Sequence, residues 1–361
     1  GMGARPMVGN QLFDFVPDNH VYHITRSLKI MFDKHGNRRS KHTSRLKFLW
    51  KKLQRESFIE LFEEEYNQIK DDRSLDLKLK PIDNSGSAAG ITPIEANEPE
   101  FDVWKTRYVR DQKQAGLKSI KIPLQLGDLL YEDAIKLTAF LEEIGPNTIR
   151  CDRAQNMRLR NIPEALLGNA FQVIQSLKKT LVGHAAFIGN MINCTGAQTC
   201  KLGICLPRGL SDKIRDRLSQ SNLDLDRLEN FNLNMSGCPN TCGMHHIADL
   251  GFFGKIGRSK ARDMYPAYYV LAGAKRGAGK TQYAEKKGEI SVHHIPEFVH
   301  DFLSAYLVNK DEFPDFNDYL EAEGNTVIAT LLEKLKHVPE FEEDPSYYTD
   351  FGAKRRLSLD E

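Results

Sequence analysis

Apolar residues recur at three- and four-residue steps in VYHITRSLKIMF, within residues 7–32 and behind a Pro17-Asp18-Asn19 start signal, so the pattern predicts a helix. HGNRRSKHTSRLKFLWKKL reads as a basic turn entering a second helix, and helical spacing continues through ESFIELFEEEYNQIK at 56–70. Residues 80–100 lose the periodicity, carry Pro, Gly, Ser and acids, and read as a linker. From Trp104 the pattern changes. WKTRYVR and LKSIKIPLQ read as strands, and LLYEDAIKLTAFLEEIG as an amphipathic helix stopped at Gly145. NTIRCDRAQNMRLRNI supplies one or two strands, and PEALLGNAFQVIQSLKKTL a helix opened by Pro163. Between 185 and 290, NFNLNMSG, DLGFFGKI and AYYVLAG read as strands among glycine-rich turns. PEFVHDFLSAYLVN and NTVIATLLEKL are helical, and the charged tail from Pro339 is expected to be loosely held.

The strand–helix alternation after Trp104 predicts a ferredoxin-like α+β unit. No repeat of 20–50 residues is visible. The 361 residues are 40% hydrophobic, enough for two or three cores, and carry a formal charge of +1. That balance gives no broad attraction to nucleic acid or to an anionic membrane, so anion binding has to be local. No stretch approaches eighteen apolar residues, and no basic leader precedes an apolar segment. The expected setting is the cytoplasm. Gly1 ahead of Met2 reads as a remnant of tag cleavage.

Five of the six cysteines fall between 194 and 242, which points to metal ligation and not to a disulfide scaffold. Cys194 and Cys200 form C-x5-C, and Cys238 and Cys242 form C-x3-C. Two short loops, each donating two thiolates, can hold a [4Fe–4S] cluster. Structural zinc stays open on spacing alone, although x5 is wide for it. Glycines beside the cysteines permit sharp turns that aim N–H groups at the sulfurs. Cys205 and Cys151 lie outside the pairs and are expected to be buried, apolar-like residues. Asn240 can cap a turn or face a cofactor. His245 and His246 read as a structural pair. GAKRGAGK at 273–280 has the wrong spacing for a phosphate loop and reads as a basic surface loop.

CTGAQTCKLG, together with SGCPNTCGMHHIADLGFFG, resembles the signature of the sirohaem- and [4Fe–4S]-dependent nitrite/sulfite reductases. RCDRAQNMRLRNI at 150–162 is similar to a segment of that family's ferredoxin-like halves, and GNRRSKHTSRLKFL at 36–49 to the segment closing its first half. The resemblance implies the end of a first sirohaem-binding half over 1–75, a linker over 76–103, a ferredoxin-like half-domain over 104–182, a [4Fe–4S]/sirohaem-binding domain over 183–340 and a charged tail over 341–361. It implies that Cys194, Cys200, Cys238 and Cys242 hold the cluster, with Cys242 bridging to the sirohaem iron. Sirohaem carries many carboxylates, so Arg38, Arg39, Lys41, Arg45 and Lys47 become candidate partners, with Arg153 and Asn156 behind them. The implied reaction is six-electron reduction of nitrite to ammonia or sulfite to sulfide, fed by ferredoxin or a flavoprotein. The alternative is a non-catalytic iron–sulfur electron carrier that needs another chain, because most of the first half has no counterpart here.

Overall fold

The computed structural model describes residues 1–83, 85–87 and 90–358. Asn84, Ala88 and Ala89 of the expected linker, and 359–361 of the expected tail, lie outside the described residues. The chain forms two units. One comprises Gly1 and Arg5–Ile82, the other Met2–Ala4 and Asp83–Glu361.

In the first unit, α1 (Val21–His35) begins behind Pro17 as the pattern predicts, and buries His23, Ser27 and Met31 at four-residue steps. The second helix, α2 (Leu46–Ile69), is broken at Gln54, whose φ of 63° belongs to neither flanking helical stretch. Phe58 and Phe62 are each 2% exposed and pack with Met31 and Leu49. Burying each ring contributes roughly 1.5–3 kcal/mol.

In the second unit, α3 (Pro99–Tyr108) replaces most of the expected WKTRYVR strand and the end of the expected linker. Pro99 at the first position, Glu100 and Asp102 in the first turn, and Trp104 and Tyr108 on one buried face favour a helix over the strand preference of Tyr and Val. Strands β1 (Val109–Asp111) and β2 (Leu117–Ile122), helix α4 (Tyr131–Ile144), strands β3 (Ile149–Cys151) and β4 (Met157–Pro163), and helix α5 (Leu167–Gln175) follow. The sheet order is β1-β2-β4-β3, antiparallel throughout. β2-α4-β3-β4-α5 keeps the ferredoxin-like pattern, and the outer strand beside β2 is the preceding hairpin strand β1. Ile120, Ile122 and Leu159 share a core with Leu137, Leu141, Phe171 and Ile174 of the two helices. The expected linker is packed onto this unit. Asn169 on α5 donates to Thr92 O and accepts from Ile94 N–H, both at 3.0 Å, and Ile91 and Ala96 join the core.

The second sheet runs β5 (Ile192–Asn193), β6 (Leu233–Ser236), β7 (Leu250–Arg258), β8 (Met264–Ala272), β9 (Glu285–Ser291) in spatial order. β5, β6 and β7 are parallel, and β7, β8 and β9 antiparallel. Helices α6 (Pro207–Ser219), α7 (Ile295–Asn309), α8 (Phe316–Tyr319) and α9 (Asn325–Lys334) supply Leu210, Ile214, Phe298, Phe302, Tyr319 and Ile328 to one core with Met235, Phe252, Tyr268 and Val270 of the strands. The tail departs from expectation. Tyr348 is fully buried, its hydroxyl donates to Pro339 O at 2.9 Å, and Phe351 packs on the core.

Candidate metal centre

Two parallel strands bring the cysteine motifs together. Ile192 pairs with Asn234 and Asn193 with Met235, so the chain leaves β5 at Cys194 beside the point where it leaves β6 at Gly237-Cys238. Ligand sites in such sheets form at the carboxyl ends of the strands, where loops diverge. Cys194 N–H donates to Met235 O at 3.1 Å, continuing the ladder by one residue. The loop then turns back. Cys200 N–H reaches Gly196 O at 3.0 Å, Gly203 N–H reaches Cys200 O at 2.9 Å, and Ile204 and Cys205 N–H both reach Gly237 O, at 2.9 and 3.0 Å. Gly237 N–H points at the Cys194 sulfur, 3.1 Å away.

Glycine is required at both crossing points. Gly196 has φ +61°, and a Cβ there would lie 2.3 Å from Pro207 Cδ and 2.4 Å from Cys205 O. A Cβ on Gly237 would lie 2.5 Å from Cys205 O and 2.8 Å from Gly196 Cα. The second loop turns through Thr241 and Met244, at φ 63° and 57°, and Ser236 Oγ accepts Gly243 N–H at 2.9 Å.

Cys238 is buried, Cys194 and Cys200 are half-buried, and Cys242 is exposed beside the exposed Asn240. Burial pushes the Cys194 and Cys242 thiols up, and the neighbouring cysteines add to it. Iron supplies the positive charge that such a set needs before it ionises. Among the described residues, no three cysteine sulfurs lie within 4.8 Å of one another; the one trio that meets this limit is Glu297, His300 and Asp301. Tetrahedral zinc with sulfur at 2.3 Å needs its sulfurs about 3.8 Å apart. A cluster sets them wider, because each thiolate binds a different iron. The charges of Cys194, Cys238, Cys242 and Cys200 couple with one another and a backbone N–H is aimed at Cys194, a donor set that fits the cluster. The Glu297 trio is taken by Arg217 at 2.8 Å and Lys334 at 3.0 Å.

Cys205 is fully buried, and its thiol donates to Ala267 O at 3.4 Å, as expected of a core residue. Cys151 corrects the expectation: it ends the edge strand β3 and is exposed. His245 is structural as expected. It is fully buried, stacks on Phe253 at 4.8 Å, shares a 2.8 Å hydrogen bond with Ser236 Oγ, and burial pushes it down to about 3. Asn156 also supports the fold: it accepts Leu124 N–H at 2.9 Å and donates to Gly189 O at 2.7 Å. Arg153 is exposed on the same turn, where Gln155 exchanges hydrogen bonds of 2.8 and 3.0 Å with the Asn193 backbone, next to Cys194. The 273–280 loop is pinned by Arg276, 3.1 Å from the buried Asp249.

The five candidate cations sit in the first unit, on the loop between α1 and α2 and the start of α2. Arg38 pairs with Asp33 and lies over the Phe32 ring at 5.1 Å. Arg39 and Lys41 are exposed. Arg45 precedes the first residue of α2, and Lys47 donates to Gly1 O at 3.3 Å. The cysteine spacing and the turn-forming glycines were legible in the sequence; the role of Gln155 was not, because it acts through a backbone group of a distant strand.

Residues 184–316 match the family described as the nitrite and sulphite reductase 4Fe-4S domain. The ferredoxin–nitrite reductase of Synechococcus elongatus is 27% identical over 301 residues, 82% of this chain and 52% of that protein. The assimilatory ferredoxin-dependent nitrite reductase of Haloferax mediterranei is 23% identical over 340 residues, 93% of this chain and 56% of that protein. A sulfite reductase [ferredoxin] of Mycobacterium tuberculosis is 27% identical over 261 residues, 71% of this chain and 42% of that protein. The chain thus spans about half the length of these curated relatives. The solved structure of the Mycobacterium tuberculosis NirA protein shares the fold, with a TM-score of 0.69 at 20% identity over 90% of this chain and 56% of that one. All four cysteines of the paired motifs lie within the matched residues, so residues 184–316 carry the nitrite and sulphite reductase 4Fe-4S domain.

Proposed function

We propose that this chain is the cluster-carrying part of a sirohaem oxidoreductase that reduces nitrite to ammonia or sulfite to sulfide, with nitrite the leading substrate. The observation that carries the reading is the parallel register of β5 and β6, which brings C-x5-C and C-x3-C to one place. Cys194, Cys200, Cys238 and Cys242 would hold the cluster, and Cys242, exposed at the end of the second motif, would also serve the sirohaem iron. When bound, the two cofactors would supply the electrons for reduction of the anion. The protein's part is to fix the thiolates and to aim the Gly237 N–H at Cys194, which disperses charge on that sulfur. Asn240, exposed between Cys238 and Cys242, faces the cofactor. Arg38, Arg39, Lys41, Arg45 and Lys47 pair with sirohaem carboxylates.

Three of the relatives carry ferredoxin in their names, which supports a ferredoxin as electron donor. No helix among the described residues is long and apolar enough to cross a membrane. A cytoplasmic setting keeps thiols reduced, and all six cysteines are free. The second reading is a non-catalytic iron–sulfur electron carrier that needs another chain. Anaerobic purification from cells that make sirohaem, with absorption spectra and iron and sulfide assays, separates the two. Cluster and haem-type bands with nitrite turnover support the enzyme. Cluster bands alone leave the carrier, and a chain with neither overturns both.

A further inference from the structure

The segment after Pro339 is folded across the start of α6, where the first cysteine loop ends. The Phe351 carbonyl sits 2.0 Å from where a Cβ on Gly209 would be, so the two backbones touch. His293 Nε2 lies 2.9 Å from Thr349 O. Between these contacts is Asp350, 6% exposed. One of its oxygens accepts Leu206 N–H and the other Phe351 N–H, both at 2.7 Å. A buried carboxylate is costly without strong partners, and its stabilising contacts are these two backbone donors.

Leu206 is the last of three consecutive backbone donors on the cysteine loop. Ile204 and Cys205 give theirs to Gly237 O, and Leu206 gives its own to Asp350. The Gly237 N–H is the group aimed at Cys194. The wholly buried Tyr268 hydroxyl feels the charges of Cys205, Asp350 and Cys194.

We infer that Asp350 is a positioning residue for the iron–sulfur centre: it holds the Cys200–Leu206 loop against Gly237, and its charge sets the potential at which the cluster takes up an electron. The inference rests on the cluster reading above. The ionisable groups whose charges couple with Asp350 are Cys205 on the loop and Tyr268 on β8, and His293 ahead of α7 meets the neighbouring Thr349 O. Burial pushes the Cys205 thiol and the Tyr268 hydroxyl well up, so both stay neutral. Burial also pushes the Asp350 carboxyl up, to about 6. Reduction then adds one electron from an external one-electron donor to the cluster, and one proton from water to Asp350.

The test uses the full chain, loaded anaerobically with ferrous iron and sulfide and titrated with dithionite while the cluster signal is followed by electron paramagnetic resonance. Titrations at several values between about pH 5 and 8 bracket the carboxyl. In the wild type the midpoint potential falls as pH rises through this range. Asp350→Asn keeps the size and one acceptor oxygen but loses the charge, so its potential is higher and flat with pH. Asp350→Ala also frees Leu206 N–H and retains less than half the iron per chain. An Asp350→Asn potential and pH profile equal to wild type overturns the inference, as does a profile flattened by His293→Gln instead. A wild type with no cluster signal overturns the cluster reading itself.

Discussion

Replacing Gly237 by alanine adds one methyl group where three chain segments meet. The new Cβ would sit 2.5 Å from Cys205 O, 2.8 Å from Gly196 Cα and 3.3 Å from Pro207 Cδ. The first two are backbone atoms, which cannot swing aside as a flexible side chain would. Gly237 cannot retreat either, because its carbonyl holds Ile204 and Cys205 and its N–H faces Cys194. Overpacking of this kind costs about 1–3 kcal/mol. Moving the N–H off the Cys194 sulfur removes a hydrogen bond to a thiolate, worth about 1.5–3 kcal/mol when the acceptor is charged. The first cost falls on the apo fold and the second on the loaded one, so cluster retention suffers more than stability. Denaturant midpoints of the apo chain, and iron and sulfide per chain after anaerobic loading, separate the two. Gly183→Ala is the control, since a Cβ there meets nothing within 4 Å. Full iron content and an unchanged midpoint in Gly237→Ala would refute the claim that this crossing shapes the site.

Cys242→Ser loses the intact cluster, whereas Cys205→Ser keeps it at a stability cost of about 1 kcal/mol, because its sulfur serves only the core; iron analysis and melting curves distinguish them. His245 is held at about 3, below its ordinary value of 6.5, so the stability of its neutral form is complete above 6.5 and drains away as pH falls from there towards 3. His245→Gln shows a shallower acid limb in equilibrium unfolding, and an identical limb would exclude this residue as the cause. Asn169→Ala strands Thr92 O and Ile94 N–H and lowers stability by about 1–3 kcal/mol, read from urea unfolding. No change would mean that the segment from Asp83 is not anchored there.

Local pattern determined a good part of this protein. Helices α1, α4, α7 and α9 were legible because each buries one face, and that face repeats at helical steps. The four candidate cysteines stood out because they fall in two close pairs. Where local preference and packing disagree, the pattern fails. Trp104, Tyr108 and Val109 favour a strand, yet Trp104 and Tyr108 are four residues apart and bury together on α3. Strand β9, EKKGEIS, has too little apolar alternation to be read, and exists because β8 pairs with it along its length. The tail looks loose by charge, but Tyr348, Asp350 and Phe351 each find a site supplied by residues far back in the chain. The centre itself was decided only by the tertiary structure. C-x5-C and C-x3-C are separate loops in sequence, and the register Asn193 to Met235 brings Cys194 beside the end of β6, two residues before Cys238. Strand pairing is a relation between distant backbones, set by which faces share a core, and one segment's sequence carries half of that information.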